Sequence, residues 1–123
     1  MNGIFVNECG CIGYADAIVE GYKTIETRGR NMLRSLVGSR VAIIRTKRGK
    51  APTVIGYANI VRAEFCPVER FDALRDQTLV PPGSRYDATE RGKWCYHMTE
   101  PERCNPYPLP TDAIRHGRSW CEF

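Results

Sequence analysis

Apolar and polar residues along this chain recur with two different periods, and the places where the period changes mark its elements. Ile4, Phe5 and Val6 form a short apolar run of strand length. Ala15, Ile18 and Val19 follow the spacing of one helix face in a segment that begins at Tyr14, and Gly21 is placed to end that helix in a left-handed conformation. From Lys23 to Arg28 the period becomes two, which sets Lys23, Ile25 and Thr27 on one side of an extended strand and Thr24, Glu26 and Arg28 on the other. Met32, Leu33, Leu36 and Val37 return to helical spacing before Gly38 closes the turn. Residues 40–45 read as a buried strand with basic ends, 46–52 as an exposed hairpin loop, and 53–65 as the longest strand, with Gly56 at a bulge or a close backbone approach.

The second half continues in the same two periods. Pro67 opens a helix carrying Val68, Phe71 and Leu74, since a proline's missing donor is not needed in a first turn. Residues 76–92 are rich in turn formers, including Pro81-Pro82-Gly83, and are predicted to be mobile, as a binding lid or a variable surface loop. Residues 93–98 alternate Trp94, Tyr96 and Met98 with Lys93, Cys95 and His97, and one of these faces must be core. The aromatic tail, with Trp120 and Phe123, predicts a docked final segment.

The order of these segments resembles the ASCH domain family, within the PUA-like superfamily. The residues that carry the likeness are Gly21, Lys23, Thr24, Ile25, Glu26 and Arg28 after a helix, then the apolar strand from Arg40. They continue with Gly56-Tyr57-Ala58-Asn59-Ile60-Val61-Arg62 running into a helix, and Lys93-Trp94-Cys95-Tyr96 leading to Pro101, Pro106, Pro108 and Pro110. The resemblance implies an α+β fold: a PUA-like small β-barrel with flanking short helices, one domain over residues 1–123. In such a barrel Trp94 and Tyr96 fill the interior, and residues 101–110 wrap it in extended conformation.

At 123 residues and 42% hydrophobic content the chain supports one modest core, and no window is apolar for long enough to cross a membrane. The first residues lack the blocks of a secretion signal, so a cytoplasmic location is expected. There the six cysteines, at 9, 11, 66, 95, 104 and 121, are expected to be free thiols that pack as small apolar groups. Cys9-Gly10-Cys11 and Cys95-Tyr96-His97 lack the paired spacing of a zinc site, so no metal and no cofactor is expected. Charge is more informative. Between Lys23 and Arg62 ten basic residues face one acid, a local +9, while the rest of the chain carries −5. If those residues share a face, they form the electrostatic footprint of a polyanion binder; the alternative is a solvated surface.

The chemistry is expected at Lys23, Glu26 and Arg28, with Thr24, Thr27, Glu64 and Tyr96 as neighbours. Lys23 suits a phosphate or carbonyl oxygen, and Glu26 an exocyclic amine, unless Glu26 only holds an arginine in place. The resemblance implies recognition of RNA or a nucleotide-like ligand in a basic cleft. Lys23, Arg28, Arg30, Arg45, Lys47, Arg48 and Lys50 would meet phosphates and Tyr96 a base. It also implies an alternative, since some ASCH proteins are amidohydrolases acting on N4-acetylcytidine with a lysine, a threonine three residues on, and a glutamate. Here Glu26 stands at the threonine's position, so hydrolysis would rest on Lys23 as base to Thr27, or to a water held by Glu26 or Glu64. A third reading is a protein-interaction module using the proline-rich segment and aromatic tail. The sequence leaves the oligomeric state open.

Overall fold

A computed structural model describes residues 1–8 and 10–123; Cys9, and with it the Cys9-Gly10-Cys11 pair, lies outside the described residues. The elements are β1 (Asn2–Asn7), α1 (Tyr14–Val19), β2 (Ile25–Arg28), a 3-10 turn (Arg34–Leu36), β3 (Arg40–Thr46), β4 (Thr53–Cys66), α2 (Val68–Ala73), α3 (Arg75–Thr78), β5 (Lys93–Pro108), β6 (Ile114–His116) and β7 (Trp120–Glu122). The strands make one seven-stranded sheet in the order β2-β5-β4-β3-β1-β7-β6. β1 and β3 run parallel, and every other neighbouring pair is antiparallel.

This sheet is open, which corrects the expected closed barrel. Closure would require β2 to pair with β1, but β3 takes one edge of β1 and the tail takes the first half of the other. β3 holds one from Gly3↔Ala42 to Asn7↔Thr46, and β7 holds the other from Asn2↔Glu122 to Ile4↔Trp120. The docked tail anticipated from Trp120 and Phe123 takes part of the edge that a closing strand would use, and Phe5, Val6 and Asn7 face β2 without a ladder.

Apolar residues cover both faces of the central strands. Ile4, Val6, Val41 and Ile43 join α1 residues Ala15, Ile18 and Val19 in the main core. Phe5, Ala42 and Ile44 join Val54, Leu109 and Cys121 in a smaller cluster on the opposite face. Continuous rather than alternating apolar character in residues 41–44 follows from this double burial. Gly56 is a close-approach point, because a Cβ there would lie 2.1 Å from the Glu102 carbonyl oxygen, and the β4–β5 register shifts beside it. The segment expected to wrap the domain is instead part of the sheet: β5 runs through Pro101 and Pro106 to Pro108 paired with β4.

The helix after Pro67 ends at Ala73 with Leu74 as its cap, one residue short of the predicted stripe, and α3 follows it. Leu79, in the left-handed region at φ 59°, terminates α3. The turn-rich stretch beyond is tied down. Arg75 donates to Asp72 at 2.6 Å and to the Val80 carbonyl at 2.9 Å and pairs with Asp87 at 2.8 Å, while Asp87 accepts from the Gly83 N–H at 2.7 Å. This fastening matters because Thr78 and Val80, both buried, form part of the site described next. No helix is long and apolar enough to cross a membrane, a statement that covers the described residues.

Candidate functional site

The seam where β2 fails to join β1 is a cavity of about 180 Å³. Phe5, Val6 and Asn7 of β1 form one side and Glu26, Thr27 and Arg28 of β2 the other. Tyr14, Lys23, Val80, Tyr86, Lys93 and Arg118 complete the lining. Arg28 crosses the gap: Nη2 donates to the Phe5 carbonyl at 2.6 Å, and Nη1 reaches the Ser119 carbonyl at 3.5 Å. A side chain thus supplies the link that a strand ladder would have made.

Lys23 does not lie across the strand from Glu26, as strict alternation from residue 23 predicts. β2 begins only at Ile25, and Lys23 sits in the loop that Gly21, at φ +85°, turns out of α1. The loop brings Lys23 Nζ within 3.6 Å of Glu26 Oε1, and Nζ donates to the Thr78 carbonyl at 2.5 Å. The amine also lies 4.8 Å from the centroid of the Tyr14 ring. Burial lowers the Lys23 pKa, and the opposing pull of Glu26 does not restore it.

Burial alone would raise the Glu26 pKa. Arg28 and Lys23, together with the Thr27 N–H that donates at 3.1 Å, more than offset this and hold the carboxylate ionised below its usual range. Arg28 Nη2 completes the pair with Glu26 Oε2 at 3.1 Å. Lys93, at the start of β5, is half-buried, which lowers its pKa against the pull of Glu26. Tyr86 packs edge-on to Tyr14 with ring centroids 6.0 Å apart.

The remaining sequence candidates lie elsewhere. Thr24 lines an apolar pocket on the far side of Lys23, with Ile18, Met98 and Pro101. Glu64 is outside the cavity lining, on β4, where it pairs with Arg70, Arg62 and His97. Tyr96 is fully buried and offers no ring face to a base. Its hydroxyl donates to Asn31 Oδ1 at 2.7 Å and accepts from the Leu33 N–H at 3.2 Å, so it is a core residue. Arg45, Lys47 and Lys50 line a separate pocket with Glu8, and Arg30 and Arg48 are exposed outside the cleft.

The strongly basic segment is also less basic in space than along the chain. Arg40 pairs with Glu102 at 2.7 Å, Arg45 with Asp16 at 3.6 Å, Lys47 with Glu8 at 3.6 Å and Arg62 with Glu64 at 3.4 Å. The compensating acids come from other parts of the sequence. Lys93, Arg118, Tyr14 and Tyr86 were not anticipated as site residues. A lysine opening an otherwise apolar strand was the only visible signal, and nothing local marks the others.

The architecture defines an α+β domain with an open mixed sheet and a polar cleft at its unjoined seam. No protein-family model and no curated protein sequence matches the chain. Solved structures do. The ASCH protein of Zymomonas mobilis superposes with a TM-score of 0.66 at 21% identity, over 87% of this chain and 73% of that one. Two single-substitution mutants of the same protein give TM-scores of 0.65 and 0.64, each at 24% identity over 87% of this chain, and cover 74% and 76% of theirs. The fold is that of an ASCH-like domain.

Proposed function

We propose that the seam cleft binds one nucleotide-sized unit, either a free nucleotide or an unpaired residue of RNA. The observation that carries this reading is the convergence, in one cavity, of four basic side chains, an ionised buried carboxylate and the half-buried ring of Tyr86. Cations suit a phosphate, a fixed carboxylate suits an exocyclic amine, and rings suit the faces of an unstacked base. At about 180 Å³ the cavity falls below the roughly 300–1,000 Å³ of pockets for drug-sized ligands, which favours a single unit over a paired strand. The exposed cations Arg30, Arg48 and Lys50, and the Arg45–Lys47 pocket, are available to the backbone of a longer RNA.

The test is calorimetric titration with a mononucleotide and with short single-stranded RNA at 50 mM and 200 mM salt. RNA affinity is expected to fall steeply with salt, and neutralising Arg45, Lys47, Arg48 and Lys50 together to weaken RNA binding while sparing the mononucleotide. A salt-independent affinity would count against the reading.

One observation favours amide hydrolysis as a second reading: Lys23, its pKa lowered by burial, lines the same cavity as Glu26 and Thr27. Glu64 has no part in it, being outside that cavity. Incubation with N4-acetylcytidine decides the matter. Release of cytidine that Lys23→Ala abolishes would support it, and no product at high protein concentration would remove it.

A further inference from the structure

The cations of the cleft are not equivalent, and the difference identifies where an anion would sit. Lys23 is engaged by the Thr78 carbonyl and Glu26, and Arg28 by two backbone carbonyls and Glu26. Both are held by groups of the protein itself. Lys93 and Arg118 also line the cavity, yet neither side chain makes a hydrogen bond or ion pair with the described residues.

Their placement follows from the topology. Lys93 opens β5, the partner of β2, so it belongs to one wall of the seam. Arg118 lies in the β6–β7 turn, and β7 is the partner of β1, so it belongs to the other. Each is set by its neighbours. Gly92, at φ +74°, admits no side chain, since a Cβ there would lie 2.6 Å from the Cys66 carbonyl oxygen and 2.8 Å from Phe65 Cζ, and β5 starts directly after this tight corner. Trp94 follows and packs edge-on against Phe65 at 5.6 Å. On the other wall, the Ser119 carbonyl accepts from the Phe5 N–H at 3.1 Å and from Arg28, which fixes the turn beside Arg118.

We propose that Lys93 and Arg118, from opposite walls of the seam, form an oxyanion subsite that takes the phosphate of the bound nucleotide. The inference rests on the nucleotide reading of the cleft and assigns its parts: Lys93 and Arg118 bind the ligand's anion, while Lys23, Glu26 and Arg28 shape the floor beneath it. An ammonium with several free donors, partly withdrawn from water, gains most from a phosphate oxygen placed beside it. The lowered pKa of Lys93 agrees with this, because burial there has no protein acceptor to offset it within hydrogen-bonding distance.

The test compares cytidine with cytidine 5′-monophosphate by calorimetry on the wild-type protein, Lys93→Met, Lys93→Arg and Arg118→Ala, with thermal melts to verify folding. The wild type is expected to prefer the monophosphate. Lys93→Met should reduce monophosphate affinity at least tenfold and leave cytidine affinity unchanged, Arg118→Ala should give a smaller selective loss, and Lys93→Arg should retain the preference. An equal loss for both ligands, or none, overturns the subsite, as does a wild type that binds both ligands alike; cleft binding itself would then still stand. If neither ligand binds the wild type, the nucleotide reading fails, and acetylation of Lys93 by a water-soluble acylating reagent decides the subsite alone. Protection by inorganic pyrophosphate would support an anion site there, and equal labelling with and without it would overturn one.

Discussion

Two clusters in this domain each set a glutamate among basic side chains, in opposite settings. Glu26 is flanked by Lys23 and Arg28, Glu64 by Arg62, Arg70 and His97. The Glu26 cluster is buried at the seam, where the side chains of Lys23 and Glu26 are 1% and 9% exposed; in the Glu64 cluster, those of Arg62 and Arg70 are 56% and 45% exposed. At Glu26, burial works against the charge and is overcome by Arg28, Lys23 and a backbone N–H. At Glu64 the hydrogen bond from Arg70, helped by His97, outweighs a lesser burial and brings the pKa down to about 2. A lowered carboxylate pKa is therefore no guide to a site. What separates the two clusters is the low-dielectric cavity beside one of them, where removing a partner leaves a stranded charge.

Substitutions sharpen that contrast, beginning with the most severe. Glu26→Ala strands Lys23 and Arg28 in the seam and is expected to lower unfolding stability by about 3–5 kcal/mol, measured by urea denaturation. Lys23→Met leaves Glu26 paired with Arg28 but takes the donor from the Thr78 carbonyl, so a loss of about 1–3 kcal/mol is expected in the same assay. Glu64→Ala should cost less than either, because its partners Arg62 and Arg70 are exposed and regain water when it is removed.

The Glu64 variant also carries a pH signature. A carboxylate whose pKa is lowered on folding stabilises fully above its unfolded value, near 4.5, and loses that contribution as pH falls toward about 2. Glu64→Ala should therefore have a shallower acid limb in its thermal-melt profile between those values than the wild type. Equal destabilisation by Glu26→Ala and Glu64→Ala would erase the distinction drawn here.

The sequence made the local features legible and the seam illegible. The first strand, the helix before Gly21, the bulge at Gly56 and the docked aromatic tail each follow from spacing or backbone chemistry within a few residues. Closure of the sheet was misjudged because it turns on competition for β1, between residues 2–7 and a tail more than a hundred positions away. Charge was overestimated for the same reason: Arg45 and Asp16, or Arg40 and Glu102, meet only after folding. Lys23 and Glu26 were read as neighbours and do meet in space, yet their shared side of the strand depended on where β2 starts, a boundary that alternation alone does not fix. Lys93 reaches the cleft from the start of β5 and Arg118 from the β6–β7 turn, and no local pattern marks them as partners.

The bridging guanidinium of Arg28 has a mechanical corollary. Two walls fastened by one bolt differ from two walls zipped by a row of rungs: the link across the gap rests on a single side chain. The same guanidinium is also a partner of buried Glu26, so drawing the bolt would leave that carboxylate short of a countercharge.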